Sequence, residues 1–135
     1  MVKQVYIASA ARTPVGSFQG ALSSMSAPEL GAHSIRASIE RASVQDSQID
    51  EVIMGNVVSA GLKQAPARQA MRNAGLPDSC GATTVNKVCG SGMKAIMLAT
   101  DLIKADSGNT IIAGGMESMS NAPYLVQKAR SGLRM

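Results

Sequence analysis

One short string in this chain combines residue types at a spacing suited to nucleophilic chemistry: Val88-Cys89-Gly90-Ser91-Gly92-Met93. The run Ala82-Thr83-Thr84-Val85-Asn86-Lys87-Val88 reads as a strand, Cys89 closes it, and a long apolar helical run follows the two glycines. A strand, a tight turn and a helix start with a thiol at the bend have the layout of a nucleophile elbow. A helix N-terminus carries unpaired backbone N–H groups and the positive end of the helix dipole. A thiol placed there is driven toward thiolate, and the same N–H groups can hold the oxyanion formed when that thiolate attacks a carbonyl. A free cysteine in such a string is also often a small buried hydrophobe. The string alone leaves both readings open.

The elements around the cysteine follow from pattern. Gln4 to Ser9 reads as a buried strand, and Arg12 to Gly20 as a Gly/Pro/Ser loop. Ser26-Ala27-Pro28-Glu29 has the form of a capping box with proline near the helix start, and the helix runs to about Ala42. Ala27, Leu30, Ile35, Ile39 and Ala42 share one apolar stripe, with His33 off its centre, so His33 reads as a surface or boundary residue. Glu51 to Val58 reads as a second strand, and Pro66 to Ala74 as a helix with Gly75 at its end. Met93 to Ala105 is the next helix, and Thr110 to Ala113 begins a fourth strand. Strands alternating with helices predict an α/β fold with a mainly parallel sheet and covering helices.

The helix after Cys89 has only a thin polar stripe, Lys94, Asp101 and Lys104, among Met93, Ala95, Ile96, Met97, Leu98, Ala99, Leu102 and Ile103. A helix apolar nearly all round calls for cover on all sides. One sheet cannot supply that, so this chain by itself is expected to leave apolar surface uncovered.

Composition excludes several classes. The chain has 135 residues, enough for one core. With 2% aromatics, that core must be built from Ala, Val, Ile, Leu and nine Met. The 13 basic and 9 acidic residues give a net charge of +4, scattered and without aromatic interleaving, which argues against nucleic-acid binding. One histidine, His33, and two cysteines, Cys80 and Cys89, assemble no metal set. A Cys80–Cys89 disulfide is conceivable, but nothing else suggests an oxidising compartment, and Cys80 in its turn-like stretch reads as structural. No apolar run reaches the length of a membrane span, and Met1-Val2-Lys3-Gln4 leads straight into a strand pattern without a signal peptide. The expected location is cytoplasmic.

Four blocks carry a family resemblance. Asn86-Lys87-Val88-Cys89-Gly90-Ser91-Gly92-Met93-Lys94-Ala95 resembles the acylated-cysteine segment of thiolases. The run from Val5 to Phe18, Gln64-Ala65-Pro66-Ala67-Arg68-Gln69-Ala70 and Gly114-Gly115-Met116-Glu117-Ser118-Met119-Ser120 resemble three more of the family's blocks, in the right order. The resemblance covers the whole chain and is nearest to the acetyl-CoA acetyltransferase branch. It implies the N-terminal half of the thiolase fold, incomplete without a C-terminal half that would cover the helix after Cys89. Residues 1–118 would be that half-domain and 119–135 the start of a loop region.

The resemblance also implies a reaction. Cys89 would take the acyl group from acyl-CoA, its backbone N–H helping to hold the thioester oxygen. Two acetyl-CoA would interconvert with acetoacetyl-CoA and CoA, with CoA thioesters as substrates and no further cofactor. Family members are homodimers or homotetramers. Thiolases also use a histidine in a G-H-P segment and a second cysteine in a C-x-G segment, and neither segment occurs here. His33 lies in the wrong element to stand in, and Cys80 precedes the nucleophile rather than following it. The chain therefore reads as the N-terminal portion of a thiolase, inactive alone. Arg12 and Arg68 would orient loops or lie at the surface, and Glu117, Ser118 and Ser120, in a region the resemblance places near the site, would either make internal hydrogen bonds or act directly in catalysis, the first being the preferred reading. Two alternatives are a ketoacyl synthase-like condensing enzyme of the same fold and a non-catalytic module that binds a partner.

Overall fold

The computed structural model describes residues 3–133. Met1, Val2, Arg134 and Met135 lie outside the described residues, and with them the ends of the expected leader-free start and loop segment. Three parallel strands form the sheet: β1 (Glu51–Gly55), β2 (Gly81–Val85) and β3 (Ile111–Gly115), in the order β2-β1-β3. Three helices pack on it: α1 (Ala27–Ala42), α2 (Pro66–Asn73) and α3 (Ser91–Lys104). Consecutive strands are joined through a helix, α2 between β1 and β2 and α3 between β2 and β3, as parallel strands require.

The central strand shows why the sheet is covered on both faces. Val52, Ile53 and Met54 are all buried. Val52 and Met54 join a cluster with Ile35, Ile39, Ala70 and Met71 from α1 and α2. Ile53 points the other way, to Ala95 and Ala99 of α3. Successive side chains of a strand alternate faces, so one apolar run serves two layers. The molecule is thus α1 and α2 on one face, the sheet, and α3 on the other.

Capping sets the start of α1. The Glu29 carboxylate accepts the Ser26 N–H at 2.7 Å and the Ser26 hydroxyl at 2.7 Å. Those two bonds, the backbone one first, hold the Glu29 carboxyl below its ordinary range. Asp50 ties β3 to β1: its Oδ2 accepts the N–H groups of Asn109 at 2.7 Å and Thr110 at 3.1 Å. The same bonds lower the Asp50 pKa, Asn109 contributing most. A carboxylate depressed on folding adds stability above its unfolded pKa of about 3.9, and this is lost as pH falls through the folded value. The urea midpoint of Asp50→Asn is therefore expected to fall less than that of the wild type between pH 6 and pH 3. Equal falls would contradict the role given to Asp50.

The segment from Gln4 to Ser9 departs from expectation. It forms no strand, and Tyr6 and Ile7 are 78% and 80% exposed. Strand-like composition fits a half-buried surface, but a strand exists only where another backbone pairs with it. Among the described residues this segment joins no ladder with the sheet. Side chains tether it instead. Lys3 Nζ meets Asp106 Oδ1 at 2.7 Å, Ser9 donates to the Ser38 carbonyl at 2.7 Å, and Arg41 donates to the Ala10 carbonyl at 2.6 Å.

Helix α3 behaves as its composition predicts. Ser91, Ala95 and Ala99 lie buried along one stripe against the sheet. Met93 (72%), Ile96 (44%) and Met97 (52%) are exposed. The chain leaves a large apolar face of this helix uncovered.

Candidate active site

Three glycines and a serine seat the start of α3 on the C-terminal end of the sheet. A Cβ on Gly55 would lie 2.7 Å from the Ser91 carbonyl carbon and 2.8 Å from the Gly92 nitrogen. A Cβ on Gly115 would lie 3.5 Å from Gly92 Cα. The backbone of α3 thus reaches the ends of β1 and β3 at a distance that side chains at Gly55 would block. Ser91, 4% exposed, fastens the turn before it. Its hydroxyl donates to the Val88 carbonyl at 2.6 Å and accepts the Lys87 N–H at 2.8 Å.

Cys89 stands on this turn, exposed, one residue before the Gly90 cap of α3. The residue before it, Val88, has φ 51°. A β-branched residue in the left-handed region is a true outlier, of the kind that persists where surrounding bonds hold it. The bend is therefore sharp, and it presents the thiol to solvent beside the first turn of a 14-residue helix. The N–H groups of Gly90 and Ser91 donate to the Lys87 and Val88 carbonyls, at 3.1 Å each, and so close the bend that carries the thiol.

Cys80 is the opposite case. It is 2% exposed and packs in the α1/α2 cluster. Burial, followed by the Glu51 and Asp50 carboxylates, pushes its thiol pKa up. Both cysteines are free, so the conceivable disulfide between them is not formed. Iodoacetamide at neutral pH is expected to label Cys89 well before Cys80, as read by peptide mass mapping. Faster labelling of Cys80 in folded protein would contradict this assignment.

The structure does not bring His33 to Cys89. His33 is exposed on α1, across the sheet from α3, and lines an open cleft of about 430 Å³ with Arg12 and Arg41. A second cleft, of about 410 Å³, runs along residues 13 to 18 and reaches Glu117 and Ser120. Neither cleft is lined by Cys89. Arg12 is exposed. Arg68 orients a loop, donating to the Cys80 carbonyl at 3.3 Å and to the Asp78 carbonyl at 3.4 Å. Among the described residues no group of three or more His, Cys, Asp or Glu is placed to hold a metal ion.

The Gly114-to-Ser120 block acts through internal hydrogen bonds. Glu117 accepts the Val57 N–H at 2.9 Å, the Val58 N–H at 3.3 Å and the Asn56 side-chain amide at 3.0 Å. Ser118 donates to the Met25 carbonyl at 2.8 Å, and Ser120 accepts the Gln19 N–H at 2.8 Å. Sequence reasoning gave no role to Asn56, which is 3% exposed and also donates to the Met116 carbonyl at 3.1 Å. A polar residue closing the apolar run Val52-Ile53-Met54-Gly55 was the available signal.

A parallel α/β sheet covered by helices on both faces, with an exposed cysteine at a strand-to-helix bend, defines the class of the fold. Comparison with known proteins makes the class specific. Residues 5–135 match the model of the thiolase N-terminal domain, and the chain belongs to that family. It is 55% identical over 135 residues to the acetyl-CoA acetyltransferase of Escherichia coli (strain K12), covering 99% of this chain and 34% of that protein. It is 54% identical over 127 residues to the mitochondrial acetyl-CoA acetyltransferase of Xenopus tropicalis, covering 94% of this chain and 30% of that protein. The crystal structure of Acat5 thiolase from Ascaris suum in complex with coenzyme A superposes with a TM-score of 0.90 at 45% identity, over 93% of this chain and 33% of that one. The chain spans about a third of the length of these relatives.

Proposed function

We propose that this chain supplies the nucleophilic cysteine of an acetyl-CoA acetyltransferase. The observation that carries the reading is the exposed Cys89 at the start of α3, in a chain that matches the thiolase N-terminal domain. The Cys89 sulfur attacks the carbonyl carbon of acetyl-CoA. The bond from that carbon to the CoA sulfur breaks, and CoA leaves as a thiol with the proton that Cys89 gave up. The acetyl group then passes from Cys89 to C2 of a second acetyl-CoA, which loses a proton there, giving acetoacetyl-CoA and restoring the thiol. Splitting the transfer through a covalent intermediate is nucleophilic catalysis and leads to ping-pong kinetics. The names of the relatives support the reaction, and the Ascaris suum complex with coenzyme A supports CoA thioesters as the substrate class. In this reading residues 1–118 are the half-domain, 119–135 open the loop region, and the complete protein is a homodimer or homotetramer.

A second reading, a non-catalytic module, is favoured by the uncovered face of α3 at Met93, Ile96 and Met97. One experiment separates the two. The chain is co-expressed with the C-terminal two-thirds of the Escherichia coli relative, and cleavage of acetoacetyl-CoA by CoA is assayed. Turnover that falls by about 10³-fold or more in Cys89→Ala supports the enzyme reading. A stable complex that turns over equally with and without Cys89 overturns it.

A further inference from the structure

Val88, the residue that sets the direction of Cys89, is held through both its carbonyl and its N–H by neighbouring side chains. On one side, the Ser91 hydroxyl and the Ser91 N–H both donate to the Val88 carbonyl, at 2.6 and 3.1 Å. On the other, Asn86 Oδ1 accepts the Val88 N–H at 2.9 Å. The same Asn86 side chain donates through Nδ2 to the Val57 carbonyl at 3.4 Å. Val57 is fixed in turn, its N–H donating to Glu117 at 2.9 Å. A chain of bonds therefore runs from Glu117 after β3, through the loop after β1, to the bend after β2. It ends on the one residue of the bend whose backbone is strained, Val88 at φ 51°.

We infer that Asn86 is a positioning residue for Cys89. It holds Val88 in the left-handed conformation and so keeps the thiol at the N-terminus of α3. The inference rests on the reading of Cys89 as the nucleophile. Ser91 is buried in the first turn of α3, so its loss would disturb packing as well. Asn86 is exposed, so its loss tests the bend with little effect on the core. If the task of Asn86 is to hold a strained backbone, it becomes dispensable once that backbone is unstrained. Glycine enters the left-handed region without steric cost.

The test uses the 135-residue chain as wild type, Asn86→Ala, Asn86→Ser, Val88→Gly and the Asn86→Ala/Val88→Gly pair. Serine keeps an uncharged acceptor that can take the N–H two residues on. Iodoacetamide labelling of Cys89 is timed, and labelling of buried Cys80 in the same sample reports opening of the fold. The helix terminus acts only within its first turn, so Asn86→Ala is expected to label about threefold more slowly at Cys89. Asn86→Ser is expected to stay within about twofold of the wild type, and the double variant to recover most of the loss. Transfer of acetyl from acetyl-CoA to Cys89 at alkaline pH, where thiols ionise without a base, is followed by mass and should fall further in Asn86→Ala, by about tenfold or more, because small misplacements of a nucleophile are costly. Wild-type labelling rates in Asn86→Ala with Cys80 still protected would overturn the inference. So would a double variant as slow as Asn86→Ala. If Asn86→Ala exposes Cys80, the serine and double variants decide by the same criteria. Failure of the wild type itself to take up acetyl counts against the proposed reaction, whereas the order of labelling among the variants counts for or against Asn86.

Discussion

Residues 1–135 alone are expected to cleave acetoacetyl-CoA at least about 10³-fold more slowly than the Escherichia coli relative under the same assay. A nucleophile and the base that takes its proton act as a unit, so removing either forfeits most of the rate. The chain has one histidine, and His33 stands on α1, a layer away from the bend that carries Cys89. The only other thiol, Cys80, is buried in the core beneath α1 and α2. What remains is the helix N-terminus, which stabilises charge but accepts no proton. A coupled assay with acetoacetyl-CoA and CoA checks this. Clear turnover by the purified chain, abolished by Cys89→Ala, would show that a residue present here takes the proton.

Gly55→Ala is expected to be the most damaging single methyl addition at the sheet. The added carbon would lie 2.7 Å from two Ser91 atoms and 2.8 Å from the Gly92 nitrogen. These are backbone and near-backbone atoms of a helix start, and they cannot swing aside as the end of a flexible side chain could. Overpacking of this kind costs about 2–3 kcal/mol. Gly81→Ala is the control, since its nearest neighbours, the Asp50 carbonyl oxygen and Glu51 Cγ, lie at 3.4 Å. Its cost should be about 0.5 kcal/mol or less. Urea unfolding of both variants measures the difference. Gly55→Ala should also slow the labelling of Cys89, because the strain falls on the turn that presents it. Equal stability of the two variants would mean that α3 is not seated on β1 as described.

The sequence made some of this legible and not the rest, for identifiable reasons. Local signals served well. The Ser26–Glu29 cap, Pro66 at the start of α2 and the alternation of strands and helices are written in neighbouring residues. So was the bend at Cys89, where a strand pattern meets two glycines. Strand ends were less legible, because long-range partners decide them. β1 stops at Gly55 rather than Val58, since the N–H groups of Val57 and Val58 turn to the Glu117 carboxylate. β2 stops at Val85 rather than Val88, since Asn86 and Ser91 draw the next residues into the bend. β3 runs on through Gly114 and Gly115, where the absence of side chains admits the start of α3. The apolar run at Gln4–Ser9 has strand composition but no paired neighbour among the described residues, and composition does not carry that information. Asn86 and Glu117 were visible as residues, but their joint action spans some sixty positions of sequence and appears only when the fold brings them together.

The central claim is that the Cys89 sulfur accepts an acyl group from a CoA thioester. The direct measurement is to incubate the chain with acetyl-CoA at alkaline pH, where thiols ionise without a base, and to map the acetyl mass onto peptides. One acetyl group on Cys89, none on Cys80, and its removal by added CoA is the predicted result. An acetyl group found on Cys80 or on lysines, with Cys89 unmodified, would contradict the account.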